Sequence, residues 1–183
     1  MTLSAEDESR LISRSQAGDR EAFGELVRLH RKGTINVVYR MCGNASLAED
    51  AAQTAFIRAW QHIPNYQPSS SFRSWLYRIA VNAALDMLRH EKPVVNIDEL
   101  PVVAAAENVE DCLEKQEQIQ QVRQAVQSLP EASRVVLLLR EYEGLSYQEM
   151  VDTLDISIGT VMSRLNYGRK RLLELLSPYL EEV

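Results

Sequence analysis

The stretch Leu145-Ser146-Tyr147-Gln148-Glu149-Met150-Val151-Asp152-Thr153-Leu154, followed by Asp155-Ile156 and then Ser157-Ile158-Gly159-Thr160-Val161-Met162-Ser163-Arg164-Leu165, decides the fold. Ser146 and Glu149 stand three apart, the spacing at which a hydroxyl and a carboxylate cap each other's backbone at a helix start. Tyr147, Met150, Val151 and Leu154 follow at helical period. Ser157 is placed to cap a second helix running from about Ile158 to Leu176. Two short helices a few residues apart have the proportions of a helix-turn-helix. On the second helix Val161, Leu165, Gly168 and Leu172 share one face, with Ser163, Asn166, Tyr167 and Lys170 roughly opposite. An apolar back and a hydrogen-bonding front fit a recognition helix, with Arg164, Arg169 and Arg171 placed to hold phosphates. A solvated helix in an ordinary bundle carries the same pattern, so this face alone leaves both readings open.

Upstream, almost every long segment also reads at period 3.6. Phe23, Leu26, Val27 and His30 form one stripe, and Ile35, Val38, Tyr39 and Cys42 another. Asn44-Ala45-Ser46 reads as a turn and cap before a helix from about Ala48 to Ile63. Pro64, Pro68 and Ser69-Ser70-Ser71 mark a loop, and a further helix spans about Phe72 to His90. Between Pro93 and about Glu110 the period disappears among prolines, alanines and acids, the composition of an extended tether. It returns at Ile119, Val122 and Val126, and Pro130 suits a helix start before Val135, Leu138, Leu139 and Tyr142. No alternating strand pattern and no internal repeat occur. The expected architecture is all-α: a helical domain over 1–92, a flexible acidic linker over 93–115, and a second helical domain over 116–183 containing the helix-turn-helix.

The chain has 183 residues, 45% of them apolar, enough for two small domains with compact cores. No apolar run reaches the ~20 residues that span a bilayer, and the acidic start Glu6-Asp7-Glu8 is unlike a signal peptide. Cys42 and Cys112 stand far apart in no metal-like spacing, which fits a reduced, cytoplasmic setting. The formal net charge is −6 but is unevenly spread. Residues 1–92 carry 12 Lys/Arg against 10 Asp/Glu, 93–115 carry one against six, and 116–183 carry seven against ten. Such a chain binds free DNA weakly, because counterion release needs clustered cations, so a DNA-binding role implies a partner that supplies backbone affinity.

Two further constellations stand out. Ala48, Ala52, Ala55, Ala59 and Ile63 lie on one helix face and point inward, which leaves Asp50, Gln53, Thr54, Ile57 and Gln61 outside. An exposed isoleucine among short polar side chains fits a protein-docking face with one apolar anchor, although single exposed isoleucines are also ordinary. The loop around Tyr66 and the helix after it interleave Arg73, Trp75, Tyr77, Arg78 and Asn82. Ser74, Arg78, Asn82, Leu85 and Arg89 fall on one side, Phe72, Leu76, Ile79, Ala83 and Met87 on the other. Aromatics among Arg and Asn suit unstacked single-stranded bases; equally, Trp60, Trp75 and Tyr77 fit a core, and for Trp75 the core is the better fit. The histidines His30, His62 and His90 form no metal pair, and there is no glycine-rich phosphate loop, so neither catalysis, cofactor nor metal is expected.

Taken together these segments resemble the extracytoplasmic-function class of bacterial sigma factors over nearly the whole chain. The resemblance rests on Ala17-Gly18-Asp19-Arg20-Glu21-Ala22-Phe23, on the run from Ala48 to Trp60, and on Ser71-Phe72-Arg73-Ser74-Trp75-Leu76-Tyr77-Arg78-Ile79-Ala80-Val81-Asn82. It continues through Ser128-Leu129-Pro130, Leu145-Ser146-Tyr147-Gln148-Glu149 and Gly159-Thr160-Val161-Met162-Ser163-Arg164-Leu165. It implies a non-catalytic subunit of bacterial core RNA polymerase that recognises promoter DNA and is controlled by an anti-sigma factor, with no small-molecule substrate and no membrane insertion of its own. Asp50, Gln53 and Phe56, with Ile57 beside them, would dock on the polymerase. Tyr66, Arg78, Asn82, Asp86 and Arg89 would read and open the minus-ten element. Thr160, Ser163, Arg164, Asn166, Tyr167, Arg169 and Lys170 would lie on the minus-thirty-five element. The acidic linker would thread toward basic channels of the polymerase. The chain departs from the family at Ala51-Ala52 and Thr54, where larger apolar and acidic residues are common. It departs again at Met162, often basic, and at Asn166-Tyr167-Gly168, where one expected cation is missing.

Overall fold

The computed structural model describes residues 5–67, 71–90 and 109–180, and within them every regular element is helical. The helices are α1 (Ala5–Gln16), α2 (Arg20–Cys42), α3 (Ala45–His62), α4 (Phe72–His90), α5 (Val109–Gln127), α6 (Glu131–Glu141), α7 (Tyr147–Leu154) and α8 (Ile158–Leu180), with a 3-10 turn at Ile63–Asn65. Residues 68–70 of the expected loop and 93–108 of the expected linker lie outside the described residues. The stretch 109–115 belongs to α5, so the helix begins seven residues before the expected boundary at 116. Its Glu-, Lys- and Gln-rich sequence favours helix over tether.

Local sequence accounts for the ends. The Asp19 carboxylate accepts from the backbone N–H groups of Glu21 and Ala22 at 3.0 and 3.1 Å and starts α2. Asn44 accepts from Leu47 N–H at 3.0 Å and starts α3 at Ala45, three residues ahead of the expected Ala48. The capping box of Ser146 and Glu149 is formed in both directions, and Ser157 Oγ accepts from Thr160 N–H at 3.2 Å at the head of α8.

α2, α3 and α4 pack as a bundle with α1 laid against α2. The inward face of α3 is almost entirely alanine: Ala48, Ala51, Ala52, Ala55 and Ala59 are all buried, and the small side chains let α2 and α4 approach closely. In the second unit α6 carries five consecutive buried apolar residues, Val135 to Leu139. A helix buried on several sides must be covered by more than one neighbour. α8 covers α6 on one side and α2 on another. The same contact accounts for a shift on α2, whose buried stripe is Thr34, Val37, Val38 and Met41, while Ile35, Tyr39 and Cys42 of the expected stripe are half-buried.

The two halves are therefore docked, and the C-terminus of α2 is the hinge of the contact. The last carbonyls of a helix lack intrahelical donors and sit at the negative end of its dipole. Gln127 donates to Arg40 O at 2.8 Å, and the Arg134 guanidinium donates to Met41 O at 2.6 Å, to Gln127 Oε1 at 2.8 Å and to Leu129 O at 2.9 Å. Gly43 closes α2 at φ 72°, where its missing side chain also leaves room for Gln127, 3.4 Å from where a Cβ would stand. At the other crossing, Gly168 lets α8 lie against α6, with Leu137 and Ser133 at 3.4–3.7 Å from a would-be Cβ. Arg134→Ala strips donors from both halves and is expected to cost about 2–4 kcal/mol, read as a lower urea midpoint. Gly168→Ala fits the space and gains helix propensity, so it is expected to be neutral or stabilising, whereas Gly168→Leu lowers the midpoint.

Candidate nucleic-acid interface

Three surfaces bear the residues expected to act. On α3, Asp50, Gln53 and Ile57 are exposed, Ile57 to 54%, which for a large aliphatic side chain marks an uncovered anchor. Phe56 and Thr54 are half-buried and pack toward the bundle. The packing partners of α3 are α2, α4 and the 3-10 turn, so the docked C-terminal half leaves this outer face open.

On α4, Asn82, Asp86 and Arg89 are exposed. Asp86 pairs with Arg89 at 3.3 Å and with Arg58 of α3 at 3.9 Å, surface pairs worth little stability and free to exchange for phosphates. The first half of α4 differs from the sequence expectation. Ser74, expected on the polar side, is 1% exposed, because α7 covers it: Thr153 Oγ1 donates to Ser74 O at 3.3 Å. Glu149, whose capping bond with the Ser146 backbone holds its carboxyl below the usual value, also accepts from Ser71 Oγ at 3.3 Å and Ser74 Oγ at 3.4 Å. Arg78 meets Asp155 at 3.4 Å. Tyr77 is core, and its hydroxyl donates to Glu143 Oε2 at 2.7 Å; burial and that carboxylate push the phenol well above its ordinary value. Arg40 stacks on Tyr142 at 4.4 Å and approaches Glu143 at 3.7 Å.

Tyr66 is not an open ring. It is 7% exposed and packs on Trp75 at 4.9 Å and edge-on to Phe72 at 5.7 Å, while Gln16 donates to its carbonyl at 2.8 Å. Trp75 is half-buried in the same cluster. A cleft of about 650 Å³ lies beside it, lined by Tyr66, Trp75 and Arg78 from one half and Val151, Asp152 and Ser157 from the other. The loop that would receive bases is thus closed by its own half, by α1, Phe72 and Trp75, and faces the helix-turn-helix across the cleft.

On α8 the back is buried as its spacing required: Val161 and Leu165 are closed, Gly168 is covered and Leu172 is half-buried. Ser163, Asn166, Tyr167 and Lys170 are exposed. Thr160 and Arg164 are half-buried, Thr160 sharing a hydroxyl bond with Ser157 at 2.9 Å. Arg169 pairs with Glu141 of α6 at 2.6 Å, a contact phosphate would have to displace. Sequence reasoning missed the residues that join the halves, Gln127, Arg134, Glu143 and Thr153. Nothing in the local sequence marks them: Gln127 ends a Gln-rich helix, Glu143 stands in a turn, and Arg134 and Thr153 look like ordinary surface residues of their helices. No group of side chains able to hold a metal occurs among the described residues, and no described helix is long and apolar enough to cross a membrane.

The described residues form two all-helical units, the second with a helix-turn-helix whose second helix is exposed on its outer face. The Sigma-70 region 2 family model matches residues 26–93 and the Sigma-70, region 4 model matches residues 119–172. The RNA polymerase sigma-H factor of Pseudomonas aeruginosa is 34% identical, the alignment covering 98% of this chain and 99% of that protein. The ECF RNA polymerase sigma factor SigW of Bacillus subtilis is also 34% identical over 88% of this chain and 92% of that one. Among solved structures, CnrH in complex with the cytosolic domain of CnrY superposes with a TM-score of 0.72 at 23% identity, covering 94% of this chain and 98% of that one. RpoE of Bartonella quintana, in complex with the anti-sigma factor NepR, gives 0.71 at 21% identity, covering 85% and 96%. The chain belongs to the extracytoplasmic-function class of sigma-70 factors and acts in promoter-specific transcription initiation.

One half-buried pair beside the aromatic cluster carries a pH dependence. His30 Nε2 bonds Glu8 Oε1 at 2.7 Å, tying α1 to α2, and its ring packs on Phe72 at 5.3 Å. Burial holds the imidazole below its usual 6.5, outweighing the opposing pull of Glu8. The unfolded chain therefore binds that proton more readily, and stability is lost as pH falls through the unfolded value toward the folded one. Between about pH 7.5 and about pH 5.5 the urea midpoint is expected to drop further for the wild type than for His30→Gln.

Proposed function

We propose that the chain docks on core polymerase through the outer face of α3, reads and opens the minus-ten element through α4 and its preceding loop, and reads the minus-thirty-five element through α8. The observation that carries this is the exposure of three separate faces, each on the element that the matched sigma-70 region supplies. Asp50, Gln53 and Ile57 form the docking face, with Phe56 setting it from beneath. Asn82, Asp86 and Arg89 are the minus-ten face; Arg78 joins them after the helix-turn-helix leaves α4, and Tyr66 after it leaves the ring cluster it makes with Phe72 and Trp75. Thr160, Ser163, Arg164, Asn166, Tyr167, Arg169 and Lys170 form the minus-thirty-five face. Residues 1–92 thus carry docking and melting, and the chain from α5 onward, 109–183, carries duplex recognition.

The docked arrangement is the resting form. In it Arg78 is engaged by Asp155 and Tyr66 by Trp75 and Phe72, while the α3 face stays open to core. Core binding separates the halves and frees Arg78 from Asp155, and core supplies the phosphate affinity that a chain of charge −6 lacks. A solved neighbour is held by an anti-sigma factor, and we assign this chain the same kind of control, exerted in the cytoplasm on the docked form. Its part in transcription is positioning DNA and polymerase, with bond making left to core.

Run-off transcription from a promoter library with purified core is the test. Start sites are expected only when the chain is present; none with a compatible core contradicts the proposal. Gln53→Ala is expected to weaken core binding about tenfold or less, a loss of up to about 1.4 kcal/mol. Asn82→Ala is expected to slow open-complex formation at unchanged core affinity. Equal losses of core affinity in both variants would contradict the division of faces.

A further inference from the structure

We infer that Ile158 and Met162 read thymine 5-methyl groups in the major groove of the minus-thirty-five element; this deepens the reading of α8 above and rests on it. Both are large aliphatic side chains, 51% and 53% exposed, one turn apart in the first two turns of α8. That end of a recognition helix is the one that meets base edges. They flank Ser163 and Asn166, which are exposed on the adjoining side, and stand away from the packed back of Val161 and Leu165.

The surroundings indicate DNA as the occupant rather than protein. Residues 158–173 hold Arg164, Arg169, Lys170 and Arg171 and no acid, in a chain whose net charge is −6. Arg169 and Arg171 pair at rest with Glu141 and Glu174, exposed pairs that phosphates on the walls of a groove can displace. Within the major groove most base-edge groups are polar donors or acceptors, and the one apolar group is the thymine methyl. An aliphatic pair at the groove-entering end therefore gains burial only against thymine. Four residues of helix rise about 6 Å, which is about two base steps, so the two methyls belong to different base pairs within about two steps of each other. Met162 offers no guanidinium or ammonium to a guanine edge, and specificity at its position shifts from guanine to thymine.

The experiment uses holoenzyme reconstituted from core and the full chain, on a promoter selected in the run-off library. Each thymine of the minus-thirty-five element is replaced singly by deoxyuridine, which removes only the methyl. One or two replacements are expected to weaken promoter binding about fourfold, the effect of exposing one methyl-sized group. That loss is expected to vanish at one position in Met162→Ala and at the other in Ile158→Ala. Lys170→Ala is expected to weaken all templates alike and to reduce the salt slope, leaving the thymine-to-deoxyuridine ratio unchanged. The inference is overturned if no deoxyuridine replacement matters, or if the loss persists in both alanine variants. It is likewise overturned if Met162→Ala lowers core affinity without any methyl dependence, which would assign the patch to a protein. Failure of wild-type holoenzyme to select any promoter overturns the functional reading itself, and is seen before any deoxyuridine is introduced.

Discussion

The closed arrangement depends on how the last carbonyls of α2 are satisfied. Arg40 O and Met41 O receive donors from Gln127 and Arg134, residues more than eighty positions downstream. A helix end buried without donors is costly, so the first domain finds its C-terminal cap in the second. Gly43 makes this possible by turning the chain left-handed and leaving space for Gln127. Further cross-contacts, among them Tyr77 with Glu143 and Ser74 with Thr153, fall where that anchoring brings the second domain onto α4.

These polar contacts, several of them long, border an apolar cluster that runs through both halves. Neutral hydrogen bonds contribute about 1 kcal/mol each, and exposed ion pairs such as Arg78 with Asp155 contribute less. A contact of this kind holds two domains in register yet can be exchanged for a larger partner, as relative motion between domains generally requires. The division of surfaces follows. The face of α3 meets solvent throughout, while the start of α4 is engaged by the second domain.

The helices and their caps were legible because short-range chemistry sets them. The Ser146–Glu149 box and the Ser157 cap need only neighbours in sequence, and the packed back of α8 follows from its 3.6-residue period. α4 was expected from about Phe72 to His90, the span it occupies. Docking was not legible. A tether of acids and prolines says nothing about whether the domains it joins touch, and Arg134 looks like any surface cation until α2 ends beside it. For the same reason Ser74 was placed on an open face and Tyr66 in an open loop: helical period identifies faces but not what covers them. The start of α5 was misjudged because its Val109–Lys115 segment is acidic, and acidity was read as tether although Glu-, Lys- and Gln-rich sequence also favours helix. The family emerged from motif order rather than from any one face.

The central claim is that one closed form of the free chain opens on core polymerase. Interspin distance between nitroxides at Arg28 on α2 and Leu173 on α8, both exposed, tests it most directly, with Cys42 and Cys112 replaced by serine. The account predicts a single narrow distance distribution for the free chain, matching the docked domains, that moves to longer distance when core is added. A broad distribution in the free chain, or a short distance that persists in functional holoenzyme, would contradict it.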